Sequence, residues 1–463
     1  MNAILPELIL AAAALTLLLL EAFRPGRKTP VYFLVLLGLA GAAWALGRSV
    51  DACVWDFLAL DASTRYLKAL ALVAVALVSV YSATFPGFQR EGFPWGTYFG
   101  LLLLSTVGLF LMMSAKDLLL LLVAIELVSV TSFVLTGIVR EDRRSSEAAI
   151  KYFLVGAFSA GLMIYGFSIL YGLLGTTRID ALLAPTVDLP ALPLTGALFF
   201  VLAGFGFKLA LAPFHMWAPD VYEGAPTPVT AYLSVGPKAA AFGLLLHVLP
   251  NHGALRLTPL LAAISALTMT VGNLAALRQT NVKRLLAYSS VAQMGYVLMG
   301  FTAAGNNGAR AVLIYLSGYV FMNLGAFASV LAMNQASQTE SIDGFKGLAQ
   351  RSMPLALTTM FFMLSLTGIP PFVGFIGKFS LFSAVLQSTG LVWLAVVAAV
   401  NSVISFAYYF SIVRAMFFET SDRPAPLSFS PALAGCLALT GVVTVAVGIF
   451  PNTFLLLVQK VLP

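Results

Sequence analysis

The stretch GFGFKLALAPFHMWAPDVYEGAPTPVTAYLSVGPKAA, residues 204–240, decides how the chain is read. Apolar blocks of spanning character lie on either side of it, yet Lys208 and Lys238 sit well inside those blocks. An isolated charged side chain at the bilayer centre costs roughly 2.5–3.5 kcal/mol on insertion scales, so an intramembrane lysine points to function. Pro213 has no N–H to offer the carbonyl of Leu209, which predicts a helix broken beside its own charge. His215 follows Lys208 by about two helical turns and shares its face if the helix resumes.

The composition agrees with a membrane setting. Of 463 residues, 60% are hydrophobic and 10% charged, far more apolar surface than a soluble fold needs. Apolar windows bounded by Pro, Gly or charge fall near 4–23, 31–47, 66–85, 94–114, 117–139, 147–172 and 194–214, then 227–249, 256–277, 282–302, 308–333, 354–388, 391–418 and 431–460. A span needs about 20 such residues. The expected fold is therefore an all-α polytopic membrane protein of about fourteen transmembrane helices, with two inverted-repeat halves and two broken helices. The second break is expected in 354–388, where Pro370, Pro371, Gly374 and Gly377 precede Lys378. Expected domain limits are helices 1–3 in 1–93, a first repeat in 94–249, a second in 250–418, and a last helix in 419–463.

Several function classes lack support. Cys53 and Cys436 show no metal or disulfide spacing, and the three histidines are scattered. The net charge of +7 comes from basic residues spread over short loops, which argues against nucleic acid. Arg24, Arg27, Lys28, Arg140, Arg143, Arg144, Lys283 and Arg284 follow odd-numbered spans, and the positive-inside rule then puts both termini outside the cytoplasm. Lys283 and Arg284 read as the cytoplasmic anchor of their helix. His247 and His252, flanking Pro250, read as interfacial. The loops leave no room for a soluble catalytic domain.

Glu126, in LLLLLVAIELVSVTSF, is the acidic residue that falls near the middle of a span. Burial disfavours the charged form of either a carboxyl or an amine, and a nearby opposite charge restores it. A carboxylate that moves toward or away from a buried lysine can thus convert geometry into proton affinity. Lys151, four residues after Glu147, reads either as part of such a line or as a side chain reaching for the interface. Ser289, Ser290, Gln293 and Tyr296 in LLAYSSVAQMGY form a polar trail that could hold water between the lysines.

Four motifs carry a resemblance: EAAIKYFLVGAFSAGLMIYG (147–166), FKLALAPFHMWAPDVYEGAPTPVTAYLSVGPKAA (207–240), KRLLAYSSVAQMGY (283–296) and GIPPFVGFIGKF (368–379). Over nearly its whole length the chain resembles the antiporter-like membrane subunits of proton-pumping NADH:quinone oxidoreductase, respiratory complex I, and is most similar to the subunit N family. The resemblance implies an interacting pair Glu126–Lys208, further proton carriers at Lys151, Lys238 and Lys378, and a connecting His215. It implies no cofactor in this chain, with NADH, FMN, iron–sulfur clusters and quinone handled by partner subunits of the membrane and peripheral arms. It also implies a multi-pass protein of the bacterial inner membrane. Many relatives carry histidine where this chain has Gln293, a side chain that can orient water but cannot hold an extra proton at neutral pH. Two other readings are a subunit of a multisubunit sodium/proton antiporter, and a structural subunit whose buried charges only fix helix packing.

Overall fold

The computed structural model describes residues 3–182, 190–248, 257–303, 305–388, 390–420 and 427–462. His252 and Pro250 lie outside them. The helices are α1 (Leu5–Phe23), α2 (Lys28–Arg48), α3 (Ala62–Thr84), α4 (Trp95–Ser114), α5 (Leu118–Thr136), α6 (Arg143–Leu174), the single turn α7 (Ile179–Leu182) and α8 (Ala191–Leu209). Then come α9 (Trp217–Gly224), α10 (Thr227–Val248), α11 (Thr258–Ala276), α12 (Val282–Thr302), α13 (Asn306–Ser337), the turn α14 (Leu348–Arg351) and α15 (Met353–Thr367). The chain closes with α16 (Val373–Leu386), α17 (Val392–Phe418), α18 (Pro431–Ile449) and α19 (Pro451–Val461).

Among the described residues, 12 helices are long and apolar enough to cross a membrane. Adding α12 and the α15–α16 pair fills each position in the sequence reading. α12 falls short on apolarity because it carries the serines, the glutamine and two cationic residues, and nearly all of it is buried in protein rather than facing outward. Helix starts follow local chemistry. Asp117 accepts from the amides of Leu119 (2.9 Å) and Leu120 (3.2 Å) to begin α5. Asp142 accepts from Arg144 N at 2.9 Å to begin α6, and Asn281 from Arg284 N at 3.1 Å to begin α12.

Differences from expectation have local causes. α6 starts at Arg143, because Asp142 supplies the cap, so Lys151 lies well inside the helix. The window 431–460 is two helices, divided at Phe450 where Pro451 opens α19. A small antiparallel hairpin, β1 (Ala52–Val54) with β2 (Leu58–Leu60), occupies the second loop, turning through Trp55 and Asp56 at positive φ.

The chain forms two compact units. One comprises Met1–Ser79, Gln89–Ala210 and Gly236–Asn251; the other comprises Val80–Phe88, Leu211–Val235 and His252–Pro463. In the first, the hairpin is tied down by Lys116 N, which donates to Phe57 O at 2.8 Å, and Leu118 N donates to Thr177 O at 2.8 Å. In the second, α11 and α12 approach so closely that a Cβ on Gly272 would lie 2.6 Å from Ala292 N, and one on Gly295 2.7 Å from Met269 N. Small residues let helix backbones meet where lipid offers no hydrophobic drive.

Candidate functional site

α8 ends at Leu209, one residue after Lys208. Ala210 is left-handed (φ 54°), and its N–H closes the helix on Gly206 O and Phe207 O. The Ala212–Pro213 peptide is cis. No helix resumes until Trp217, so Lys208 and His215 do not share a helix face as a continued helix would require: the left-handed residue and the proline redirect the chain between them. The expected break is there.

Lys208 is buried and its Nζ donates to Ser129 Oγ and, at 3.5 Å, to Ile125 O, both on α5. Glu126 is half-buried on the same helix, and its Oε1 is buried without a hydrogen-bond partner. Each side chain lies in the other's electrostatic field, but among the described residues they form no ion pair. The ammonium is solvated by a hydroxyl and a carbonyl; the carboxylate acts from further away.

Lys238 is buried in α10 directly after Pro237, which leaves the carbonyl of Leu233 without its helical N–H. His215, two residues after Pro213, is half-buried, with a buried Nδ1 that has no hydrogen-bond partner. Lys151 is different. Its side chain is 44% exposed and pairs with Glu147 one turn earlier at 2.8 Å, among the outward-facing Ile150, Phe153, Leu154 and Phe158.

The second break repeats the motif. α15 closes at Gly368 (φ 92°), Pro370–Pro371 is cis, and α16 begins at Val373. Lys378 lies on the far side of this break. Its Nζ donates to Thr367 O at 2.8 Å and Ser402 Oγ at 3.4 Å and sits 4.3 Å from the centre of the Tyr296 ring. Among the described residues no carboxylate pairs with it.

A buried polar seam leads away from this lysine. Ser402 Oγ donates to Tyr296 OH at 3.2 Å, and Asn273 Nδ2 reaches the same oxygen at 3.5 Å. Tyr408 OH donates to Asn273 Oδ1 at 3.0 Å, and the Tyr408 ring packs against that of Tyr409 with centroids 4.4 Å apart. Gln293 Nε2 donates to Tyr409 OH at 3.1 Å and to Leu366 O at 2.8 Å, while Tyr315 OH donates to Gln293 Oε1. Ser289 bonds Tyr409, and Ser290 bonds Tyr319 at 2.7 Å. Gln293 is therefore a hub: three partners satisfy its amide. All four residues of the expected trail are buried, but the hydroxyls that complete it come from α13 and α17, distant in sequence.

Other buried charges were not anticipated. Lys283 does not anchor its helix in solvent. Its Nζ, buried, donates to Ala225 O at 2.8 Å and pairs with Glu340 at 3.1 Å. Arg284 binds Asp220 (2.7 Å) and Glu223 (2.9 Å), one turn apart on α9. Lys68 is buried against Glu7 at 2.6 Å. No spacing could reveal these pairs, because each joins segments remote in the chain. Among the described residues, no three His, Cys, Asp or Glu side chains converge as metal ligands.

Residues 115–405 match the transmembrane family model of NADH:quinone oxidoreductase and Mrp antiporters. The chain is 40% identical to NADH-quinone oxidoreductase subunit N 2 of Symbiobacterium thermophilum, over 98% of this chain and 94% of that one. The chain belongs to the NADH-quinone oxidoreductase subunit N family. A solved chain of respiratory complex I from Thermus thermophilus with bound aureothin is 35% identical to this member of the subunit N family, with TM-score 0.81 over 97% of this chain and 98% of that one. A chain of the Mrp complex from Dietzia shares the fold (TM-score 0.84, over 99% and 96%) at 23% identity. The subunit N family and the all-α, many-helix membrane fold expected from the motifs are thus both found.

Proposed function

We propose that this chain is a proton-translocating membrane subunit of an NADH:quinone oxidoreductase, driven by redox chemistry in partner subunits that hold NADH, FMN, iron–sulfur clusters and quinone. The observation that carries the reading is the buried seam running from Gln293 through tyrosines and a serine to Lys378, a costly arrangement that a merely structural helix contact does not need. In this reading cytoplasmic protons load Lys208, whose proton affinity follows the position of Glu126. They pass through Lys238, His215 and the seam to Lys378 and leave on the opposite side, which also carries both termini. The amides of Gln293 and Asn273 cannot take an extra proton at neutral pH. Their work is to hold the hydroxyls of Tyr409, Tyr408 and Tyr296 in place while water and hydroxyls carry the proton. The exposed position of Lys151 suits a contact with a neighbouring antiporter-like subunit better than a step inside the chain.

The test is proton translocation by the assembled complex in liposomes with Lys208→Ala and Glu126→Ala. Both are expected to lose translocation-coupled turnover; full translocation in both would sink the assignment. The matching family model covers Mrp antiporters as well, which supports a second reading, a sodium/proton antiporter subunit. Sodium-dependent proton exchange, independent of NADH and quinone, would favour that one.

A further inference from the structure

Within the first unit lies a group of ionisable side chains that neither helix break uses. Glu7, in the first turn of α1, has 6% of its side chain exposed, and Lys68 on α3 has 1%. They are joined at 2.6 Å, with Lys68 Nζ also 5.4 Å from the centre of the Phe110 ring. One turn before Lys68, and on the same face of α3, Thr64 is buried, and a turn before that Asp61 precedes the helix. Glu7 Oε2 and Thr64 Oγ1 are both buried without a hydrogen-bond partner. Buried polar atoms normally find partners, so the unpartnered Glu7 Oε2 marks a buried carboxylate with an oxygen free to take a proton.

A second, more exposed pair lies at the start of α3. His247, next to the end of α10, lies 3.4 Å from Asp61 Oδ2 through Nε2, with Nδ1 at 2.7 Å from Gly243 O. Ser63 Oγ donates to Asp61 Oδ1 at 2.8 Å and lies 3.4 Å from His247 Nε2. Asp61 is 49% exposed and His247 28%. Desolvation would raise the Asp61 pKa, but hydrogen bonds from His247 and the Thr64 amide outweigh it and hold the carboxyl well below the usual carboxylate range. A fixed anion and an imidazole thus stand at the exposed start of α3, with Lys116 of the neighbouring loop within electrostatic reach of the imidazole. Lys68 is seven residues into the section of α3 that starts at Ala62, roughly 10 Å at about 1.5 Å per residue, a shallow depth on the face where α1 and α3 begin.

We propose that Glu7 and Lys68, reached from that face through Asp61 and His247, form a proton-exchange site separate from the line of Lys208 and Lys378. The ionised pair holds one proton. Transfer from Lys68 Nζ to Glu7 Oε1 along the existing hydrogen bond leaves an amine and an acid of no net charge; uptake of one proton gives acid and ammonium, and release of one gives carboxylate and amine. His247 passes the exchanged proton to or from the aqueous phase. The inference rests on the proton-moving reading above.

The experiment uses the assembled complex in liposomes and measures protons moved per NADH oxidised, with infrared difference spectra of the carboxyl region during turnover. Glu7→Gln keeps the shape and an acceptor for Lys68; the double variant Glu7→Leu with Lys68→Met replaces the pair by apolar groups, a change that a purely structural pair often tolerates. Both variants are expected to oxidise NADH but to move fewer protons per NADH. A protonated-carboxyl band that changes in the parent should vanish in Glu7→Gln. If the double variant does not assemble, Glu7→Gln and its spectrum decide alone. Parent-like proton yield with no Glu7 band overturns the proposal; if Lys208→Ala also keeps full yield, it is the proton-moving reading itself that fails.

Discussion

The helix breaks at 209–217 and 367–373 use similar parts in opposite order, and their lysines end in unlike surroundings. Each has a left-handed residue, Ala210 or Gly368, followed by a proline. At the first the lysine precedes the break and lies in the field of a carboxylate, Glu126, whose Oε1 has no hydrogen-bond partner. At the second the lysine follows the break and is held by a carbonyl, a hydroxyl and a ring face. The first lysine can be switched by movement of a full charge. The second is held by neutral dipoles alone among the described residues, so in the proposed line its proton would have to be driven off by events elsewhere.

Substituting the charge itself should give the largest contrast. Lys208→Glu places two carboxylates in one buried region and is expected to abolish proton translocation. Among the described residues Lys378→Glu meets no second carboxylate, and it should retain a measurable part. Equal loss in liposome assays would break the distinction.

A smaller effect is expected at Tyr296. Tyr296→Phe keeps the ring beside Lys378 but removes the hydroxyl used by Ser402 and Asn273, a loss of about 1 kcal/mol for a neutral hydrogen bond. Tyr296→Leu also removes the cation–π contact, worth up to about 2 kcal/mol when desolvated. Thermal unfolding and translocation should therefore fall in the order parent, Phe, Leu. A Phe variant as impaired as Leu would mean that the hydroxyl, and not the ring, governs this lysine.

The effects expected in the backbone are on stability alone. A Cβ on Gly368 would sit 2.7 Å from Lys378 Cδ at a φ of 92°, so Gly368→Ala should cost more than about 1 kcal/mol in thermal stability. Ala210→Gly relieves a left-handed alanine, a relief partly cancelled by the added chain entropy of glycine, and is expected to stabilise by about 0.5 kcal/mol. Matching signs at the two positions would show that the turns are not equivalent in strain.

Much of this was legible in the chain because the signals are local. A lysine in an apolar run and a proline a turn away are neighbours in sequence, so both breaks and Gln293 could be located without coordinates. The seam was legible only on α12. Its other half, Asn273, Ser402, Tyr408 and Tyr409, lies on helices that look like ordinary apolar spans; Tyr408 and Asn273 are 135 residues apart. The pairs Lys283–Glu340 and Lys68–Glu7 were hidden for the same reason, with separations of 57 and 61 residues. The single helix expected over 431–460 failed at Pro451, where composition stays apolar and only the backbone changes course.

By itself, then, the sequence determined the membrane class, the number and order of the spans, the two breaks and the family. Apolar length and proline placement act within one helix, and so are written into consecutive residues. Only the tertiary structure decided which charges face one another: that Lys208 leans on Ser129 while Glu126 stands off, that Lys378 lies beside a tyrosine ring, and that Glu7 finds Lys68. Charge pairing in a low-dielectric interior depends on distances of a few ångströms between different helices, and those distances exist only once the helices have packed.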